Sequence, residues 1–200
     1  MVHEPDTLDL IMSRGGGGTV IHAGAFFGDF LPALLGAGLH VRAFEPSRSN
    51  WLHAKATLEA NGLSTDVLTN AALGEAPYDA SLVTTEEVGS VVYRLGGGSY
   101  ISRQYTGPML SERCQVLTID SVVGMSEQIT VIHLDVERYE RKAIAGARST
   151  IQRSRPLLIL ETPLGWRAMR WLASLGYRRA DYVHHNTVLD ATVAVAKHYR

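Results

Sequence analysis

From residue 19 onward, short apolar runs alternate with stretches of helical spacing. Thr19-Val-Ile-His-Ala-Gly24 is β-prone and ends in glycine, which reads as a buried strand. In Gly28-Asp-Phe-Leu-Pro-Ala-Leu-Leu35 the residues Phe30, Leu31, Leu34 and Leu35 share one helical face. Pro32 falls in the first turn of that helix, and Gly36 and Gly38 end it. His40-Val-Arg-Ala-Phe-Glu45 is a second strand. Ser47 or Ser49 caps the next helix, which stops at Asn61-Gly62, and Asp66-Val-Leu-Thr-Asn70 is a third strand. Strand, helix, strand, helix, strand at this spacing predicts right-handed crossovers and a parallel sheet.

The middle of the chain has another texture. Residues 79–84, 90–94, 99–103 and 114–119 read as short extended pieces, broken most clearly at Gly96-Gly97-Gly98. They predict hairpins or a loop excursion around 75–120, where a strand-end pocket gains its walls. Regularity returns with the strand Thr130-Val-Ile-His-Leu-Asp135, a helix from Glu137 to about Ile151, the strand Leu157-Leu-Ile-Leu-Glu161 and a helix from Trp166 to Leu175. Tyr177–Val183 and Val188–Ala196 close the chain as a hairpin around His185-Asn186. Residues 1–18 read as a leader with a short helix over Leu8–Met12, and residues 19–200 as one domain.

With 200 residues the chain can bury one substantial core. No apolar stretch is long enough to cross a bilayer, and the first residues lack a basic segment of the secretory kind. Cys114 is the single cysteine, so neither an internal disulfide nor a cysteine zinc cluster can form; a cytoplasmic location is expected. His184-His185 has no third ligand nearby, and no metal site is expected. A net charge of −1 argues against bulk nucleic-acid binding. That average hides an asymmetry: residues 1–130 hold 7 Lys/Arg and 14 Asp/Glu, residues 131–200 hold 12 and 6. Either helix faces are simply solvated, or a basic surface serves an anionic acceptor or partner.

The chemistry concentrates at strand ends. In Gly24-Ala-Phe-Phe-Gly28-Asp29, Gly24 lets backbone approach a ligand and Gly28 permits close packing. Free N–H groups at the helix start can meet a carboxylate, as the methionine end of S-adenosylmethionine requires, and Asp29 can bind its ammonium. Ala25 and Phe26 belong to the same turn. Glu45 ends the second strand, where an acid can accept both ribose hydroxyls. That placement also suits NAD, but the dinucleotide Gly-x-Gly-x-x-Gly is missing. Asn70 and Ala71 follow the third strand, the amide facing a base edge and the small residue leaving an adenine slot.

The chain resembles the FkbM family of methyltransferases. The matching pieces are Val20-Ile-His-Ala-Gly-Ala-Phe-Phe-Gly-Asp29, Phe44-Glu-Pro46, Asn70-Ala-Ala-Leu-Gly74, Leu117-Thr-Ile-Asp-Ser121, His133-Leu-Asp-Val-Glu-Arg-Tyr-Glu140, Gly146-Ala147 and Arg155-Pro156 through Glu161. The resemblance implies a Rossmann-like class I methyltransferase fold, mainly parallel with a C-terminal antiparallel hairpin. It implies S-adenosylmethionine as donor and O-methylation of a small molecule, sugar or natural product. It places Gly24, Phe26, Gly28, Asp29 and Glu45 around the cofactor and makes Asp120, Asp135 and Glu137 the polar residues to watch. The chain departs from the family at three positions: His22 stands for an aspartate, His133 for a lysine, and Arg138 for a glycine.

His133 and Asp135 lie two apart near the end of one strand and so share a side. The candidate catalytic group is His133, Asp135 and Glu137, with Asp135 positioning the acceptor or cofactor and His133 as the base. Glu161, at the end of the next strand, can reach the same mouth, and Asp120 can cap a helix. The expected partner is a small-molecule acceptor, without membrane or nucleic acid; a homo-oligomer is left open. N-methylation of an amine, an NAD-dependent oxidoreductase and a non-catalytic cofactor-binding protein are the competing readings.

Overall fold

The computed structural model describes residues 4–84, 99–102 and 110–192. In chain order its elements are α1 (Pro5–Arg14), β1 (Thr19–Ala23), α2 (Leu31–Gly36), β2 (His40–Phe44), α3 (Arg48–Ala60), β3 (Leu68–Thr69), β4 (Ala72–Leu73), β5 (Tyr78–Thr84), β6 (Ser99–Ser102), β7 (Leu110–Leu117), α4 (Ile119–Val122), β8 (Ile129–Leu134), α5 (Glu140–Ala145), α6 (Arg148–Ser154), β9 (Leu157–Leu160), α7 (Trp166–Ser174), β10 (Arg178–Val183) and β11 (Asn186–Asp190).

Seven strands form one sheet in the order β10-β11-β9-β8-β1-β2-β3. β3, β2, β1, β8 and β9 pair in parallel. β11 runs antiparallel to both β9 and β10, which gives the expected closing hairpin. After β3 the chain crosses back to lay β8 on the other side of β1. The order therefore reverses between β1 and β8, the place where sheets of this kind hold ligands. Four further strands, in the order β4-β7-β5-β6, make a second sheet from the middle of the chain. This is the predicted excursion; the piece at 90–94 and the triple glycine lie outside the described residues.

All five residues of β1 are buried, as a strand covered on both faces requires. On one face Ile21, Ala23, Ile132, Leu134, Leu158 and Leu160 pack with Ile144 and Ile151 of α5 and α6 and with Leu172 of α7. On the other, Val20, Val41, Ala43, Val131 and Ile159 meet Leu8 and Ile11 of α1, Leu31 and Leu34 of α2, and Ala54 and Leu58 of α3. Arg14 of α1 pairs with Asp190 of β11 at 2.8 Å.

Several expectations shift for local reasons. α2 begins at Leu31 rather than Gly28, because Gly28 N–H turns back to the Ala25 carbonyl and Leu31 N–H to that of Gly28. β3 is only two residues long. The piece expected at 114–119 ends at Leu117, where Thr118 and Ser121 form a capping box for α4. Asp120 does not cap α4. Its carboxylate accepts the N–H groups of Ser149 and Thr150 at 3.0 and 2.8 Å, at the start of α6. The single helix expected over 137–151 is therefore two. Between them Gly146 sits where any side chain would overlap the Gly74 carbonyl, so that turn is fixed by a close backbone approach.

The tightest approach is at the ends of β1 and β8. Asp135 N–H donates to the Ala23 carbonyl at 3.0 Å. Gly24 has φ +84, and a Cβ there would overlap the Asp135 carbonyl oxygen. Gly24→Ala therefore combines a left-handed backbone with a backbone clash and should cost about 2–5 kcal/mol. Urea unfolding of the purified variant checks this, and a loss below about 1 kcal/mol would mean that the contact relaxes without cost.

Candidate functional site

A cavity of about 330 Å³ opens at the C-terminal ends of β1, β2 and β8. Among the described residues its ionisable lining consists of Glu4, His22, Asp29, Glu45, His133, Asp135, Glu137 and Tyr139, with no lysine or arginine. The space is thus acid-walled, which suits a ligand carrying positive charge.

Glu45 is the best-defined member. It is 5% exposed. One carboxylate oxygen accepts Phe26 N–H at 2.8 Å, the other Ser47 N–H at 2.9 Å, and the Asn50 side chain adds a bond. Burial nevertheless pushes its pKa up to about 7, outweighing those donors. Further hydroxyl donors would be favourable here, and a ribose diol supplies two.

Gly24, Phe26, Asp29, Glu45 and Ala71 all line the cavity, as expected. Phe26 sits at φ +49 and is 37% exposed. Strained backbone and an exposed aromatic ring at a cavity wall are the features of a ligand contact. Ala25, Gly28 and Asn70 are not among the lining residues. Ala25 is buried, Gly28 packs against Ala54, and the Asn70 amide donates to the Glu45 and Pro46 carbonyls at 2.8 and 3.1 Å. These residues brace the site; in particular, the Asn70 NH2 group holds the Glu45–Pro46 corner in place. Several N–H groups of the turn are engaged within the protein. Gly24 and Ala25 N–H both donate to the Phe44 carbonyl, Phe26 N–H to Glu45, and Gly28 N–H to Ala25.

His22 and His133 are register partners in β1 and β8, and their Nδ1 atoms lie 2.8 Å apart. Both rings stack with Phe30, at centroid distances of 5.3 and 5.8 Å. One imidazole donates and the other accepts, so the pair holds a single shared proton between neutral rings. Burial lowers the His22 pKa to about 4 and that of His133 well below its usual value. The aspartate and lysine implied by the family resemblance fall on these adjacent positions. In this chain a neutral hydrogen bond replaces the charge pair that those residues would make. A histidine so reluctant to take a proton is a poor base at neutral pH, which moves that role away from His133.

Asp135 is different. Burial, a hydrogen bond to the Glu161 carboxylate and the nearby Glu161, Glu4 and Glu137 charges raise its pKa well above the carboxylate range. Glu137 lines the cavity at φ +50 and Arg138 follows at φ +70. The glycine expected after Glu137 would fit this left-handed position without strain. Glu4 and Tyr139 were not anticipated from the sequence. Tyr139 lies inside the block from His133 to Glu140, whereas nothing in the pattern around Glu4 ties the start of α1 to a strand-end cavity.

A Rossmann-like sheet with an acid-walled cavity at its switch point, a ribose-suited carboxylate after the second strand and an acid after the fourth defines a class I methyltransferase domain. The family model described as the methyltransferase FkbM domain matches residues 22–179, and the chain belongs to that family. S-adenosylmethionine is the cofactor of this class, and the carboxylates of the lining, Glu45 above all, fit it. The crystal structure of methyltransferase FkbM from Methylobacillus flagellatus is similar, with a TM-score of 0.54 and 19% identity over 86% of this chain. This chain spans only 42% of that one. A tRNA (uracil-54, C5)-methyltransferase from Pyrococcus abyssi, in complex with S-adenosyl-L-homocysteine, aligns at a TM-score of 0.48 and 12% identity, over 92% of this chain and 36% of that one. A precorrin 8w decarboxylase from Methanobacterium thermoautotrophicum aligns at 0.45 and 14%, over 92% and 87%. Comparison with curated proteins returned no match.

Two predictions follow from the geometry. With folded pKa values below the unfolded value near 6.5, the buried pair contributes its full stability above that pH and loses it on acidification toward 4. NMR of ring-labelled protein should therefore show no titration of His22 or His133 between pH 5.5 and 8; a midpoint near 6.5 for either ring would contradict their burial as a neutral pair. Arg138→Gly removes a left-handed non-glycine residue at an exposed position and should stabilise the protein by about 1 kcal/mol. An unfolding midpoint at or below that of the parent would show that Arg138 is not strained.

Proposed function

We propose that this chain transfers a methyl group from S-adenosylmethionine to a hydroxyl of a small-molecule acceptor, with Asp135 receiving the hydroxyl proton. The observation that carries the reading is the pair of unlike carboxylates in one cavity. Glu45 is fixed by three donors at the end of β2, and Asp135 is held at the end of β8 by burial and a hydrogen bond with Glu161. The cofactor supplies a methyl group already activated by the positive sulfur.

In this reading Glu45 accepts the ribose hydroxyls, Phe26 packs on the ligand, Ala71 leaves room for the base, and Asp29 faces the amino-acid end. Gly24, Ala25 and Gly28 shape the turn, and Asn70 holds the Glu45–Pro46 corner. Asp135 and Glu137 stand on the acceptor side. His133, neutral and buried beneath Asp135, sets the floor and does not move a proton. A carboxylate with a raised pKa accepts a proton near neutral pH far better than an ordinary one.

Amine methylation is the second reading. The carboxylates of the lining would attract a cationic amine, and an amine that sheds its proton before entry needs no base. The two separate on Asp135→Asn. For a hydroxyl acceptor, turnover should fall by roughly 10²–10⁴ while S-adenosylhomocysteine affinity stays within about threefold (under 1 kcal/mol). The parent rate should keep climbing with pH beyond the ordinary carboxylate range near 4, because Asp135 must lose its proton first. Asn turnover equal to the parent would exclude the base role. Glu45→Gln should weaken S-adenosylhomocysteine binding by about 1–3 kcal/mol in calorimetry, and unchanged affinity would remove Glu45 from the cofactor site.

A further inference from the structure

A second cleft lies beside the cavity and carries the opposite charge. It has a volume of about 240 Å³ and lies over α5, α6 and α7. Arg141, Lys142, Arg148 and Arg167 line it, with Trp171 and a single carboxylate, Glu75. The surplus of basic residues in the last third of the sequence thus gathers partly in one place. Arg141 and Arg148 reach it from successive helices, while Arg167 and Trp171 share a face of α7 at i, i+4 spacing.

The arginines contact only aromatic rings among the described residues, Arg148 over Trp171 and Arg167 over Trp166 at 5.3 Å from its centre. Arg141, Arg148 and Arg167 are exposed, and among the described residues none has an ion-pair partner. Arg148 is nonetheless oriented, with its guanidinium 4.7 Å from the centre of the half-buried Trp171 ring. A guanidinium stacked on an indole keeps its N–H edge free for a planar or tetrahedral anion.

Residues in contact with one another line the cleft and the cavity. Tyr139 lines the cavity and Lys142 lines the cleft. Lys142 Nζ donates to the Tyr139 hydroxyl at 3.2 Å and lies 4.5 Å from the centre of its ring. On the other side, Leu73 lines the cavity and Glu75 the cleft.

We infer that this cleft binds an anionic group of the methyl acceptor, a phosphate ester or a carboxylate, while the acceptor's hydroxyl reaches past Tyr139 toward Asp135. The inference rests on the proposed methyl transfer for the acceptor's identity, but the anion site itself stands on the cleft alone. It also assigns the two charges separately: the acid-walled cavity takes the cationic cofactor and the basic cleft takes the anionic acceptor.

The test titrates the intact protein at low ionic strength with inorganic phosphate, with acetate, and with chloride at matched ionic strength. The readout is NMR of the arginine Nε–H and tryptophan indole signals. Phosphate or acetate should give saturable shifts at Arg148 and Trp171 that chloride does not, and the stronger of the two identifies the anion type. Arg148→Gln combined with Arg167→Gln should weaken that binding at least tenfold and leave S-adenosylhomocysteine affinity by calorimetry within twofold. No saturable shift with either anion, or shifts that chloride reproduces, would overturn the inference. If S-adenosylhomocysteine binds while the anions do not, the cleft assignment alone falls. If the anions bind while S-adenosylhomocysteine does not, the methyl-transfer reading falls and takes the acceptor assignment with it.

Discussion

Two strand ends pressed together organise this molecule. β1 and β8 are adjacent in the sheet though more than a hundred residues apart in the chain, and Gly24 meets the Asp135 carbonyl where no side chain would fit. That contact puts the turn after β1 and the acids after β8 on opposite sides of one space. From it follow the positive φ of Gly24, the hydrogen bond that carries Glu45 beneath Phe26, and the reach of Asp135 toward Glu161. The strand reversal at this point creates a crevice, and the glycine determines how narrow it is.

Charge is divided between neighbouring spaces. Among the described residues the cavity is lined by five carboxylates and no lysine or arginine, and the cleft beyond Tyr139 by four basic side chains and one carboxylate. The histidine pair beneath the cavity adds no charge of either sign at neutral pH. A charged pair in the same buried place would carry a desolvation cost; two imidazoles sharing one proton avoid it and still tie β1 to β8. The raised pKa values of Glu45 and Asp135 have the same origin, since carboxylates taken out of water without cationic partners hold their protons.

Much of this could be read from the sequence. Strand patterns located every strand that pairs in parallel in the main sheet, most clearly β1 and β9, whose residues are all buried. Cavity residues within recognisable strand-end motifs, Gly24, Phe26, Asp29, Glu45, Ala71 and Asp135, were legible for the same reason. What failed depended on backbone conformation and distant partners. The start of α2 moved because the N–H groups of Gly28 and Leu31 turn back to the Ala25 and Gly28 carbonyls. The helix after β8 divided because Asp120, some thirty residues upstream, caps its second half. Spacing cannot show which carbonyls the Asn70 amide will find. The burial that lowers the His133 pKa is reported by no strand pattern. The gathering of Arg141, Arg148 and Arg167 beside Trp171 depends on how three helices pack and is likewise invisible in one dimension.

The central claim is that the crevice between β1 and β8 is a nucleoside site anchored by a buried carboxylate. The most direct measurement is a crystal structure of the protein with S-adenosylhomocysteine. The account predicts both ribose hydroxyls within hydrogen-bonding distance of the Glu45 carboxylate, with the ring of Phe26 against the ligand. A nucleoside bound anywhere else, with Glu45 still contacting only Phe26, Ser47 and Asn50, would contradict it.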